Sequence, residues 1–370
     1  MLYFCTRFWV VSSVGSERCF HTAEVTGSNP VRPTKGESQC GSLFLFPFRL
    51  FTNYVVPLQP QKTTAMNIHI LEPLGISKEL LIKKITDRIG NSHQLVLFDD
   101  RCEDEATLVE RSAGADIVVL SNIPYRKKVI EKCPALKKIC VAFTGMDHID
   151  LAYCAERGIE VKNCAGYSTV AVADLVFGLV LSLARNIPAC DTACRNGNTK
   201  NGLVGFELAG KKFGIIGLGA IGKRVADIAN AFGCEVYAFT RTPRPYPNVT
   251  LTDKETLLRT CDIVSLHTPL NDSTRGLIGR DELALMKPTA FLINTARGGV
   301  VNTQALVEAL RENRIAGAGI DVFDMEPPIP TDYELAHLDH TVVTPHVAFA
   351  TAQAFEKRAD IIAENLKGWL

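Results

Sequence analysis

Lys211-Lys212-Phe213-Gly214-Ile215-Ile216 runs directly into Gly217-Leu218-Gly219-Ala220-Ile221-Gly222, and this junction decides the fold. The apolar run predicts a buried strand over 211–216, and the stretch after Gly219 predicts a helix to about Phe232. A lone triplet of glycines at this spacing is only a tight turn. Between a strand and a helix in a βαβ unit it is a cradle for a dinucleotide. Gly217 makes the turn, Gly219 lets a pyrophosphate approach the backbone, and Gly222 lets helix and strand pack. The helix start, with Ala220 and Ile221, offers free N–H groups and partial positive charge to phosphates.

Outward from this junction the same alternation repeats. Downstream, Glu235–Phe239, Ile263–His267, Ala290–Asn294, Ala316–Asp321 and Thr341–Val343 read as strands. Upstream, Asn67–Leu71, Gln94–Phe98, Ala115–Leu120, Lys138–Ala142 and Ile159–Val161 read as strands, with helices at Ser77–Ile89, Asp104–Ala113 and Arg126–Glu131. Strand–helix alternation implies parallel sheets covered on both faces. The fold class is therefore α/β, with two doubly wound parallel-sheet domains. A Rossmann dinucleotide domain (165–346) is inserted into a flavodoxin-like substrate domain (66–164), to which a C-terminal helix (347–370) returns. Crossings near residues 164–170 and 345–350 form a hinge, with the active site between the domains.

Composition narrows the partners. The 370 residues carry 40 basic and 40 acidic side chains, interspersed, for a formal net charge of zero. That argues against nucleic acid or a membrane surface as the main partner. Twelve cysteines occur with no CxxC pair or Cys/His cluster, so they read as reduced thiols in a cytoplasmic chain, and no metal site is expected. Two apolar stretches, 170–184 and 42–56, are too short or too interrupted to span a bilayer.

Residues 1–65 lack periodicity and read as an unstructured extension. Gly27-Ser28-Asn29-Pro30 is one translation of GGTTCGAATCC, a T-arm sequence of many transfer RNA genes. The reading is an untranslated upstream segment with the start at Met66; a disordered or targeting extension is the alternative.

The chemistry lies after the glycine loop, in Asn294-Thr295-Ala296-Arg297-Gly298-Gly299, Asp321-Val322-Phe323-Asp324-Met325-Glu326-Pro327-Pro328 and Thr344-Pro345-His346. The Arg297 guanidinium, a planar fork that stays charged, suits a carboxylate and a carbonyl. His346 suits the proton that accompanies a hydride, imidazole being the side chain best matched to proton transfer near neutral pH. Glu326 suits the task of holding that imidazole in one tautomer. The ordered set describes hydride chemistry on an oxo acid.

With Phe143 to Asp150, Gly166-Tyr167-Ser168-Thr169 and His267-Thr268-Pro269-Leu270, these segments make the stretch from about Lys137 to Leu370 resemble the D-isomer-specific 2-hydroxyacid dehydrogenase family. The resemblance implies Arg297, Glu326 and His346 as the catalytic set, and Asp321 near the nicotinamide. It implies His267, Pro269 and Thr295 along the cofactor cleft. The amides of Gly145 and Met146 would help Arg297 hold the substrate carboxylate, with Asn122 lining the same pocket. It further implies a homodimer built on the dinucleotide domain, to which the apolar helix Val170–Leu183 contributes. Where that family usually has an acidic residue for the ribose hydroxyls, this chain has Thr240 followed by Arg241, and Arg244 lies near. NAD or NADP therefore fits, with NADP or dual use favoured. Pro345 before His346 disfavours a formate dehydrogenase, and the end at Leu370 predicts no C-terminal amino-acid-sensing domain. The expected activity is interconversion of a small 2-oxo acid and its D-2-hydroxy acid, of the hydroxypyruvate/glyoxylate reductase or phosphoglycerate dehydrogenase kind. The alternative is a dinucleotide-sensing corepressor of the C-terminal-binding-protein type.

Overall fold

The computed structural model describes residues 65–325 and 328–370. The expectations for residues 1–64 and for Glu326 lie outside the described residues. Residues 61–370 belong to one compact unit. Its first half runs β1 (Asn67–Ile70), α1 (Lys78–Ile89), β2 (Gln94–Leu97), α2 (Glu105–Ser112), β3 (Ile117–Leu120), α3 (Lys127–Ile130), β4 (Lys138–Val141), α4 (Leu151–Glu156) and β5 (Glu160–Asn163). Its second half follows as α5 (Thr169–Ala184), α6 (Ile187–Arg195), β6 (Lys212–Ile216), α7 (Ala220–Ala231), β7 (Glu235–Phe239) and β8 (Val249–Leu251). It continues with α8 (Lys254–Thr260), β9 (Ile263–Leu266), α9 (Arg280–Leu285), β10 (Phe291–Asn294), α10 (Thr303–Arg311), β11 (Gly317–Ile320), β12 (Thr341–Val343) and α11 (Ala352–Lys367).

The strands pair in parallel in two sheets, ordered β2-β1-β3-β4-β5 and β12-β11-β10-β9-β6-β7-β8. The first is a flavodoxin-like order. The second reverses direction beside β6, and such a switch point opens the crevice that receives a ligand. Strands β3, β9, β10 and β11 are buried along their whole length, as helices on both faces require.

Helix starts follow local chemistry. The Ser77, Asp104 and Asp253 side chains accept from Leu80, Thr107 and Thr256 N–H and so cap α1, α2 and α8. Helix α7 differs: its first residue follows Gly219, which supplies no side-chain cap. The short edge strand β8 and the helices α4 and α6 carry no pattern long enough to have been read from the sequence.

Helix α5 buries most of its apolar surface within the chain and leaves Val170 exposed. Nine of its residues are buried within the chain, and Phe177 stacks on Phe213 and Phe232 with ring centroids 5.6 and 5.3 Å apart. Burying a Val, Leu or Phe contributes about 1.5–3 kcal/mol, so this helix is a core element of its own sheet. Among the described residues no single helix is long and apolar enough to cross a membrane.

The last helix, α11, packs on α1 and ties the chain's end to the first sheet. Lys84 pairs with Asp360 at 2.7 Å, and Asn365 Nδ2 donates to Asn163 O at 2.9 Å. The buried Arg358 reaches Ala142 O at 3.2 Å and Leu74 O, satisfying carbonyls at the strand ends.

Candidate active site

A cavity of about 510 Å³ opens at the C-terminal ends of both sheets. From the first sheet come Phe143 to Asp147 after β4, with Ile149 and Leu151; the start of α5 adds Tyr167, Ser168 and Val172. From the second sheet come Ile221, His267 to Leu270, Thr295 to Arg297 and His346, followed by Ala348 and Phe349. Six segments distant in sequence thus share one wall.

Arg297 sits on the turn after β10. The turn is shaped by Asn294, whose amide donates to Arg297 O at 2.9 Å and whose oxygen accepts from Ala296 N–H at 3.1 Å. The guanidinium donates from Nε to Asp147 Oδ1 at 3.2 Å and from Nη1 to Ala296 O at 2.8 Å. Burial works to raise the Asp147 carboxyl, but the Arg297 charge, together with hydrogen bonds from Arg297 and the local backbone, holds the group below its ordinary value. A side chain at Gly145 would collide with Arg297 Nη2, so only glycine lets the guanidinium lie against this backbone. Among the described residues the N–H groups of Gly145 and Met146 have no acceptor. One cation and two backbone donors face the cavity together, the donor set that suits a carboxylate.

His346 is built differently. It adopts a left-handed φ of +55°, and its N–H donates to Asp321 O at 2.8 Å. Its ring meets Phe143 and Phe349 edge-on, with centroids 5.9 and 5.6 Å away. Asp321, fully buried, holds the turn: Oδ1 accepts from Thr344 Oγ1 at 2.6 Å and Val347 N–H at 2.8 Å, and Oδ2 from Ala348 N–H at 3.0 Å. Both its oxygens serve the loop that carries His346, since loop N–H groups beside a buried carboxylate need an acceptor, and Asp321 is not among the residues lining the cavity.

The Asn122 oxygen accepts from Arg101 Nη1 at 2.8 Å, and Arg101 in turn pairs with the buried Glu72 at 2.7 Å. Asn122 is not among the residues lining the cavity.

The glycine loop fits a dinucleotide. A Cβ at Gly217, where φ is +103°, would lie 2.6 Å from His267 O, and one at Gly222 would strike Gly217 O. Gly219 instead faces open space, with nothing within 4 Å of a Cβ. The turn is therefore tight on two sides and clear on the third, at an uncapped helix N-terminus. Thr268 Oγ1 and Thr295 Oγ1, both on the cavity wall, are buried without a partner among the described residues. Such atoms call for a ligand. His267 is paired with Ser265 Oγ at 2.9 Å, and burial pushes its imidazole down to about 3, so it is neutral in neutral solution. Pro269 lies on the same wall. Thr240 and Arg241 follow β7 beside the glycine turn, where Gly217 N–H donates to Phe239 O at 2.8 Å, and they stand off the cavity wall.

Sequence reasoning missed the aromatic group around His346, the Asp147 partner of Arg297, and the buried His148, whose imidazole burial drives down to about 4. No periodicity marks such residues, since Asp147 and Phe143 meet their partners only across long sequence gaps.

Comparison with known proteins matches this geometry. Residues 177–348 match the family model of the D-isomer specific 2-hydroxyacid dehydrogenase NAD binding domain. The chain is 41% identical over 281 residues to a glyoxylate reductase of Thermococcus litoralis, covering 72% of this chain and 84% of that protein. It is 36% identical over 292 residues to a hydroxypyruvate reductase of Thermotoga maritima, covering 78% and 92%. Among solved structures it resembles an acyclic imino acid reductase in complex with NADPH and D-Arg, with a TM-score of 0.76 and 32% identity over 82% of this chain and 97% of that one. With two parallel α/β sheets, a dinucleotide turn and an Arg–His cavity between them, the chain belongs to the D-isomer-specific 2-hydroxyacid dehydrogenases, NAD(P)-dependent oxidoreductases that interconvert 2-oxo acids and their D-2-hydroxy acids.

Proposed function

We propose that this chain reduces a small 2-oxo acid of the glyoxylate or hydroxypyruvate kind, with Arg297 and His346 as its catalytic side chains and Glu326 as the partner of the imidazole. The single observation that carries the reading is the convergence of the Arg297 guanidinium, the Gly145 and Met146 N–H groups and the His346 ring on one cavity. Arg297 and the two amides hold the substrate carboxylate, and the guanidinium polarises the neighbouring carbonyl. The developing oxyanion meets donors already in place, which is where most of the barrier reduction arises. His346, as imidazolium, delivers a proton to that oxygen. Gly217, Gly219, Ala220, Ile221 and Gly222 would hold the pyrophosphate, and His267, Pro269, Thr268 and Thr295 the nicotinamide end. Bound there, the reduced nicotinamide supplies a hydride. Assay of glyoxylate, hydroxypyruvate and pyruvate with each reduced dinucleotide tests the reading; no turnover on any of them returns the corepressor alternative.

Thr240 and Arg241 favour NADPH or dual use, since a guanidinium accommodates a 2′-phosphate where a carboxylate would repel it. The solved imino acid reductase with NADPH supports this choice. A homodimer built on the dinucleotide domain, with α5 contributing, is also proposed: Val170 in the first turn of α5 is 53% exposed, and Ile187 and Val204 in the segment that follows are 49% and 88% exposed. A monomeric mass by light scattering at micromolar concentration would count against it. Nine described cysteines are free, six of them buried, which suits a reducing, cytoplasmic setting.

A further inference from the structure

We propose that the substrate is a 2-oxo acid whose only negative charge is its carboxylate, its side chain being uncharged; this rests on the reductase assignment above. Among the described residues Arg297 is the one Lys or Arg on the cavity wall, and it is committed to the carboxylate next to the reacting carbonyl. Its charge is already shared with Asp147, whose Oδ1 lies 3.2 Å from Nε and which lines the same wall. Burial keeps His267 neutral, and His346 carries the transferred proton. The remaining wall from the first sheet and the start of α5 carries no cation: Phe143, Met146 and Val172 are apolar, and Thr144, Tyr167 and Ser168 carry only hydroxyls. A second anionic group, a phosphate ester or a distal carboxylate, would lose its hydration with no Lys or Arg left to meet it and with the His346 proton given to the carbonyl oxygen. It would also face Asp147 at short range, a repulsion of about tenfold in binding at the dielectric of a partly exposed site.

Hydroxypyruvate and phosphohydroxypyruvate differ by one phosphate and make the test. With saturating NADH or NADPH, kcat/KM is expected to favour hydroxypyruvate by about a hundredfold or more, from lost hydration and charge repulsion together. Equal or faster turnover of phosphohydroxypyruvate overturns this inference while leaving the reductase assignment intact. Turnover of neither, nor of glyoxylate, overturns the assignment itself. Asp147→Asn keeps an oxygen for Arg297 Nε but removes the charge, and should narrow the preference about tenfold. Because the preference is a ratio within one preparation, loss of folded enzyme cancels. An unchanged ratio in that variant overturns the charge argument.

Discussion

Arg297 and His346 follow strands β10 and β12 of the same sheet, yet each is held by a carboxylate from a different place. Asp321, at the end of β11, binds the turn Thr344–Ala348 through three hydrogen bonds and never leaves its own sheet. Asp147 reaches Arg297 from the loop after β4, in the other sheet's half of the molecule. His346 is thus held within one sheet, while Arg297 is set by how the two halves meet. The difference teaches where each kind of damage should appear. Disturbing His346 or its clamp should act on the chemical step, and disturbing the Arg297 contact should act on substrate capture.

The largest effect is expected from His346→Asn. Reduction should fall by about 10²–10⁴-fold, the usual range for a positioned general acid, with dinucleotide affinity by fluorescence titration almost unchanged. Near-normal turnover would remove His346 from the chemistry. Arg297→Lys should cost about a hundredfold in kcat/KM, because an ammonium lacks the bidentate fork. A slight rise in KM alone would make Arg297 peripheral.

The two carboxylates provide the sharpest contrast. Asp321→Ala leaves the Thr344 hydroxyl and two loop N–H groups without their acceptor, at about 1–3 kcal/mol for each one left buried and unpaired. Its Tm should drop by several degrees and its kcat by about tenfold. Asp147→Ala removes a half-exposed ion pair, so its Tm should move by no more than about 2 °C while KM rises several-fold. Equal thermal losses in the two variants would break the distinction. Since the folded Asp147 carboxyl titrates below its ordinary value of 3.8, its ion pair is complete above that value and is lost only as pH falls through the lower folded value. KM should therefore show no Asp147 transition between pH 6 and 8.

The smallest effect is expected away from both loops. Thr240→Asp should shift cofactor preference several-fold toward NADH through repulsion of a 2′-phosphate. A wild type that already ignores NADPH would end that argument.

Most of the architecture was legible because its signals are local. Alternating apolar runs marked nearly every long strand and helix, and Ser77, Asp104 and Gly219 marked helix starts within a residue. Short elements such as β8 and α4 were not legible, since three to six residues carry no period. What covers α5 within the chain was not legible for a related reason: hydrophobicity states that a surface must be covered but not by what, and here the covering includes Phe213, Phe232 and the sheet beneath.

The site divides in the same way. The sequence by itself determined the glycine turn and the identity of Arg297 and His346, because steric room at a backbone turn and the charge of a side chain are properties of single residues. Only the tertiary structure decided that Asp321 clamps the His346 loop, that Asn122 turns to Arg101, and that Asp147 meets Arg297. Those assignments are settled by competition among hydrogen-bond donors and acceptors that approach from different strands. Such competition exists only once two sheets, folded from distant segments, have brought their loop ends to one cavity.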